Sequence, residues 1–302
     1  MEDLEEVITY RREALTLYPP GHPDRPMPLI NLADAAHTRY NRLSGVEDLK
    51  ESIIYNRKAL TLCHPGHQYR SICLNNLANA VLSRYKRSGG MEDLKEVITY
   101  FREALTLRPT GHPNRSSSLI NLANAGFALY EKSGRMVDLD EAITYSREAL
   151  TLCPPGHSSR SMSLNNLACP LLTRFRQLGR MKDLEESITF NREALSLRPI
   201  GHSDRSMSLN NLALSVLTRY DQSGSMEDLE KVITYHREAL SLCPPGHRFH
   251  SSSLSNLANA IFTRYQSSGR IEDLEEVITY HRSALSQSSR PPKLFLFPQL
   301  PF

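Results

Sequence analysis

The sequence predicts an all-α fold, an α-solenoid of stacked antiparallel helical hairpins, and three observations carry that reading. A Gly-His pair returns at Gly21, Gly66, Gly111, Gly156, Gly201 and Gly246, each 45 residues after the last. Asp3, Asp48, Asp93, Asp138, Asp183, Asp228 and Asp273 keep the same period with no insertion or deletion, so about six and a third units fill residues 1–286 of the 302. Within each unit the apolar residues recur at helical spacing on two segments.

Residues 136–152, MVDLDEAITYSREALTL, place Leu139, Ala142, Ile143, Tyr145, Ala149, Leu150 and Leu152 over two faces of a helix, which must therefore be sandwiched. Its opening acids suit the positive end of the helix dipole. Pro154 and Pro155 stop it, and Gly156 is free to take a positive φ in the exit turn. The next segment, SRSMSLNNLACPLLTRF, lines up Leu164, Leu167, Ala168, Leu171 and Phe175 as one stripe on a helix of its own. A glycine, as in SGR at 133–135 and 268–270, closes that helix before the next acidic start.

No hairpin of this kind buries both faces of its sandwiched helix alone; stacking on its neighbours does. A column of alanines (Ala33, Ala78, Ala123, Ala168, Ala213, Ala258) lets helices approach closely. A column of aromatics (Tyr40, Tyr85, Tyr130, Phe175, Tyr220, Tyr265) fills the wider gap near the helix end. Two positions depart from the pattern. Pro170 falls in mid-helix, where the missing N–H and a clash with the Asn166 carbonyl predict a kink and a cost of roughly 3 kcal/mol. Gly126 stands where other units carry Ala, Val, Leu or Ile, and costs about 1 kcal/mol of helix propensity.

These residues resemble the tetratricopeptide repeat family. Leu167–Ala168 is similar to the signature of the family's first helix, and Ala142, Ala149 and Pro154 to that of its second. The resemblance covers about residues 1–286. The period is 45 where the standard repeat has 34, and Ser146 stands where a large aromatic is expected, with Tyr145 one position early. The longer unit is more similar to the kinesin-light-chain type, and closer still to fungal aromatic di-alanine and tetratricopeptide proteins. The resemblance implies a right-handed superhelix whose first helices line a concave groove for extended peptides, with no catalysis of its own.

The candidate site is a set of asparagines on the first helices. Asn31, Asn76, Asn121, Asn166, Asn211 and Asn256 form an unbroken column, Asn75, Asn165 and Asn210 precede it in three units, and Asn79, Asn124 and Asn259 follow three residues on. An amide both donates and accepts, so such a stripe can pair with the backbone of an extended chain whatever its side chains. By resemblance, asparagine in the NNLA segment touches the peptide main chain. The competing expectation is that these amides brace the neighbouring repeat. In the groove reading, Met27, Ile72, Ser117, Met162, Met207 and Ser252, with Asp34 or His37, supply selectivity.

Other columns read as structural. Arg12, Arg57, Arg102, Arg147, Arg192, Arg237 and Arg282 on the second helices, and Arg39, Arg84, Arg174, Arg219 and Arg264 on the first, are expected to brace the stack through acids or carbonyls. The repeated histidines are expected to hydrogen-bond exposed carbonyls at helix ends, not to bind metal, because a solenoid points equivalent side chains the same way from separate loops. The best local metal set, Cys63, His64, His67 and Cys73, occurs in one unit only.

Composition narrows the remaining classes. A net charge of +3 with acids and bases interleaved offers no basic face for nucleic acid, and no apolar run approaches the ~18 residues of a membrane span. Five cysteines without a signal sequence argue for free thiols and a cytosolic setting. The expected partner is a protein or peptide, with no cofactor, no metal and no small-molecule substrate. The chain starts at a second helix, and its period is lost after Ser286, where an apolar tail, 287–302, begins. Those ends suggest a piece of a longer array, and so the alternative of a sensor segment from a larger enzyme such as a caspase-like CHAT protease.

Overall fold

The computed structural model describes residues 2–247 and 249–286; the expected tail at 287–302 lies outside them. Thirteen α-helices, and no strand, occur among the described residues. They fall into two compact units, considered separately. The first, through His157, holds α1 (Glu2–Thr16), α2 (Pro26–Leu43), α3 (Val46–Leu62), α4 (Arg70–Ser88), α5 (Met91–Thr106), α6 (Arg115–Ser133) and α7 (Met136–Thr151). The second, from Ser158, holds α8 (Arg160–Leu178), α9 (Met181–Ser196), α10 (Arg205–Ser223), α11 (Met226–Ser241), α12 (His250–Ser268) and α13 (Ile271–Ser286).

Each even-numbered helix pairs with the odd-numbered one after it, and within each unit the hairpins stack in chain order as an all-α solenoid. The hairpin turn is only two residues long because its first residue adopts the left-handed conformation. Gly89 does so at φ 72°, and its N–H donates to Tyr85 O at 2.7 Å. Ser44 takes the same place at φ 59°, the one non-glycine with positive φ among the described residues.

The odd helices are the sandwiched ones. In the first unit Leu94, Val97 and Phe101 of α5 pack with Leu77, Val81 and Leu122; in the second, Leu229, Val232 and Ile233 of α11 pack with Leu212, Val216 and Leu257. Every alanine of the expected column is buried. Of the aromatic column, Tyr130 and Phe175 are buried and the rest half-buried.

Neither irregular position interrupts its helix. α8 continues from Arg160 to Leu178 through Pro170, held on both sides by the buried Leu167, Ala168, Leu171 and Leu172. α6 continues through Gly126, where an added Cβ would lie 3.6 Å from Ala142 Cβ, an ordinary contact.

Both expected arginine columns brace the fold. Arg39–Asp48, Arg84–Asp93, Arg174–Asp183, Arg219–Asp228 and Arg264–Asp273 close the hairpin turns at 2.5–2.8 Å. Where the column has Leu129, Asp138 takes Arg135 and Ser133 instead. Arg12–Glu51, Arg57–Glu96, Arg102–Glu141 and Arg237–Glu276 tie α1 to α3, α3 to α5, α5 to α7 and α11 to α13. A third column was not anticipated: Arg70, Arg115, Arg160 and Arg205 open the even helices and reach Glu103, Glu148, Glu193 and Glu238, 33 residues on. The signal available for it was the 45-residue recurrence of Arg at the start of the first helices, from Arg25 to Arg205.

The histidine ladder works differently from the expectation. His22, His67, His112, His202 and His247 do not serve the carbonyls of the preceding helix. Each Nδ1 accepts the backbone N–H two residues on, at 3.0–3.2 Å, in the turn that leads into the next helix. The N–H groups ahead of a helix are the ones lacking intrahelical acceptors, so a side-chain acceptor belongs there.

Candidate functional site

On an even helix, residues at i, i+1 and i+4 share one face, which is how Asn75, Asn76 and Asn79 come to line α4. The twelve asparagines nevertheless meet different fates, and both expectations apply, each to part of the set.

Five of them brace the stack. Asn165 is buried: its Oδ1 accepts from Arg198 Nη1 and from Ser208 Oγ, each at 2.9 Å, and its Nδ2 donates to Asn191 Oδ1 at 3.3 Å. Asn191 Nδ2 donates in turn to Ser215 Oγ at 3.0 Å, and Ser215 Oγ lies 3.0 Å from Ser187 Oγ. One repeat apart, Asn121 Nδ2 donates to Asn75 Oδ1 at 3.3 Å, and Asn256 Nδ2 to Asn210 Oδ1 at 3.4 Å. Asn210 Oδ1 also receives Nδ1 of His236 at 3.0 Å, and burial drives the His236 pKa down to about 4, so the imidazole there is neutral.

The other set is at or near the surface. Asn31, Asn76, Asn79, Asn124, Asn211 and Asn259 are half-buried or exposed, and their side chains form no hydrogen bond within the described residues. Asn166 falls between the sets, with Nδ2 buried and lacking a partner.

In the first unit these amides border a cleft of ≈ 290 Å³ between α2 and α4, floored by α3. Asp34 and His37 stand on one wall, Asn76, Asn79 and Lys86 on the other, and Ser52 and Asn56 below. His37 Nε2 lies 2.9 Å from Ser83 Oγ, whose own proton goes to Asn79 O at 3.1 Å, so Nε2 is the donor. Burial lowers the His37 pKa against the opposing pull of Asp34, which keeps the ring neutral at pH 7.

The Cys/His set does not converge. Cys63 and Cys73 are both buried with their Sγ atoms 3.5 Å apart, whereas His64 is exposed and His67 serves the backbone of Tyr69. Burial raises the pKa of both thiols. Among the described residues no three His, Cys, Asp or Glu side chains are placed to hold a metal ion, and no helix is long and apolar enough to cross a membrane.

Alternate loops carry arginine where others carry cysteine, and these arginines are buried. Arg108 Nη1 donates to Ser118 Oγ at 2.6 Å, and Arg198 Nη1 to Ser208 Oγ at 2.7 Å. Each leaves its Nε unsatisfied, and desolvation lowers both pKa values.

Comparison with known proteins fits this architecture. Residues 205–248 match the tetratricopeptide repeat family model. The crystal structure of nearly identical TPR-like repeats from Podosopora anserina, named for kinesin light chain, is similar over 75% of this chain and 100% of its own, with 18% identity and a TM-score of 0.52. BtubC (BKLC) of P. vanneervenii is similar over 81% and 95%, with 16% identity and a TM-score of 0.56. The apo quorum sensor NprR of B. thuringiensis is similar over 95% and 78%, with 15% identity and a TM-score of 0.58. No curated protein matches the sequence.

Proposed function

We propose that this chain, a tetratricopeptide-like repeat protein, is a protein-interaction scaffold that holds an extended peptide or partner segment against the asparagine-bearing face of its even helices. The observation that carries the reading is the division of the amides. Five of them are spent between repeats, while Asn76, Asn79, Asn124, Asn211 and Asn259 keep donor and acceptor uncommitted at regular intervals beside them. Such groups match the alternating N–H and C=O of an extended backbone. The kinesin-light-chain naming of one structural neighbour and the sensor role of another are in keeping with this. The scaffold does no chemistry of its own and takes neither cofactor nor small-molecule substrate.

The test is a peptide array probed with the wild type and with an Asn76→Ala, Asn79→Ala, Asn124→Ala variant, after circular dichroism has shown equal helicity. Peptides held by the wild type and released by the variant support the groove. Equal retention by both places the binding surface elsewhere.

A further inference from the structure

Asn56 and Asn191 occupy the same repeat position, three units apart, yet only one of them is satisfied. Asn191 Oδ1 accepts from Asn165 Nδ2, and its Nδ2 donates to Ser215 Oγ. The residues at the corresponding places around Asn56 are Ile30 and Ala80, which offer neither group. Asn56 Nδ2 reaches only Ser52 Oγ, at 3.5 Å, and its Oδ1 is buried with no partner. The side chain is 1% exposed and lines the floor of the α2–α3–α4 cleft. Where the second unit closes a polar network on itself, the first leaves an unpaired acceptor on a residue that lines a space of ≈ 290 Å³.

We propose that this cleft is a subsite for a primary carboxamide, the side chain of a glutamine or asparagine in the bound segment, with its NH2 given to Asn56 Oδ1. The proposal rests on the groove reading for the origin of that side chain. Three features select the group. A buried orphan acceptor calls for an N–H or O–H donor, since a lone acceptor left unpaired costs about 1–3 kcal/mol. The charges at the rim, Asp34 on α2 and Lys86 on α4, cancel, and His37 is neutral, so a net charged group gains nothing overall. Asn76, Asn79 and Lys86 supply donors for the carbonyl end of the same ligand group, whereas His37 has already given its proton to Ser83. A hydroxyl also donates and accepts without charge, but through one atom; a carboxamide does so through two, which suits an acceptor on the floor and donors on the wall.

Saturation-transfer NMR with three probes of one size, propionamide, n-propylammonium and propionate, tests the subsite without any peptide. The expected result is transfer to propionamide well above the other two, and its loss to background in Asn56→Leu. That replacement keeps the branching and heavy-atom count and removes the unpaired acceptor, and the cleft beside it has room for the larger methyls, so it should keep or raise the melting temperature. A second variant, the exposed Lys86→Met, leaves the rim negative and should move the preference to n-propylammonium. Equal transfer to all three probes, or propionamide transfer surviving in Asn56→Leu, overturns the proposal, as does an unchanged preference in Lys86→Met. Failure of the fragments while the peptide array still responds to Asn76 and Asn79 removes the subsite and leaves the groove standing.

Discussion

Asn165 Oδ1 lies 2.9 Å from Arg198 Nη1, and both side chains are buried. The nearest carboxylate to that guanidinium is the exposed Asp204, at 4.0 Å. The amide dipole is therefore a principal solvation of a buried charge, and the two partners should respond unequally to replacement. Asn165→Leu removes one acceptor from the guanidinium, leaving it Ser208 Oγ and the Asp204 carbonyl, and should cost roughly 1.5–3 kcal/mol in urea unfolding. Arg198→Met removes the charge and leaves Asn165 bonded to Ser208, and should cost about 1 kcal/mol or less. Equal costs would show that the bond, not the buried charge, sets the energetics.

His236 predicts a dependence on pH. Its folded pKa of about 4 lies below the 6.5 of the free side chain, so between those values the unfolded chain binds the extra proton. Stability from this group is complete above pH 6.5 and is lost as pH falls toward 4, by up to about 3 kcal/mol. Replacement by phenylalanine, the residue at the equivalent Phe101, should flatten that part of the profile. Melting curves of both proteins from pH 7 to pH 4 compare the slopes.

Two single substitutions should stabilise the chain. Gly126→Ala adds a methyl that meets Ala142 at an ordinary distance and gains about 1 kcal/mol of helix propensity. Ser44→Gly relieves the left-handed φ at the first hairpin turn and should add about 0.5–1 kcal/mol, the gain reduced by glycine's freedom in the unfolded chain. A rise in the urea midpoint with an unchanged slope checks each.

The thiols of Cys63 and Cys73 should be silent to alkylation in the native protein at pH 8, since both are buried and hold their protons above the usual range. The partly exposed Cys169 should react first. Mass spectrometry of the modified sites, before and after unfolding, reads the order directly.

The helices, their pairing and the bracing role of the arginine columns were legible because a tandem repeat prints each column many times; which acid each arginine takes was set by the turn geometry that brings Arg39 to Asp48. The Arg70–Glu103 column was harder to see. Its partner lies 33 residues away on the other helix of the same hairpin, so neither helix taken alone reveals it. The histidines were assigned to the wrong helix end because a ring nitrogen accepts as readily as it donates, and only the backbone geometry decides. The asparagines show the limit most directly. Asn75 and Asn76 are adjacent and identical, yet one pairs with Asn121 and the other is uncommitted, a difference set by which way the helix turns each toward its neighbour. Whether Asn56 is satisfied depends on Ile30 and Ala80, residues that no motif would single out.

The ties keep fixed separations, 33 residues within a hairpin and 39 or 46 between stacked helices, and the same separations are found in both units. An in-frame excision of 45 residues would therefore rejoin equivalent surfaces, and one of 90 would also keep the alternation of cysteine and arginine in the loops. Copy number becomes a heritable variable that recombination between near-identical segments can alter in one step, lengthening or shortening the ligand-facing surface while each surviving seam keeps its contacts.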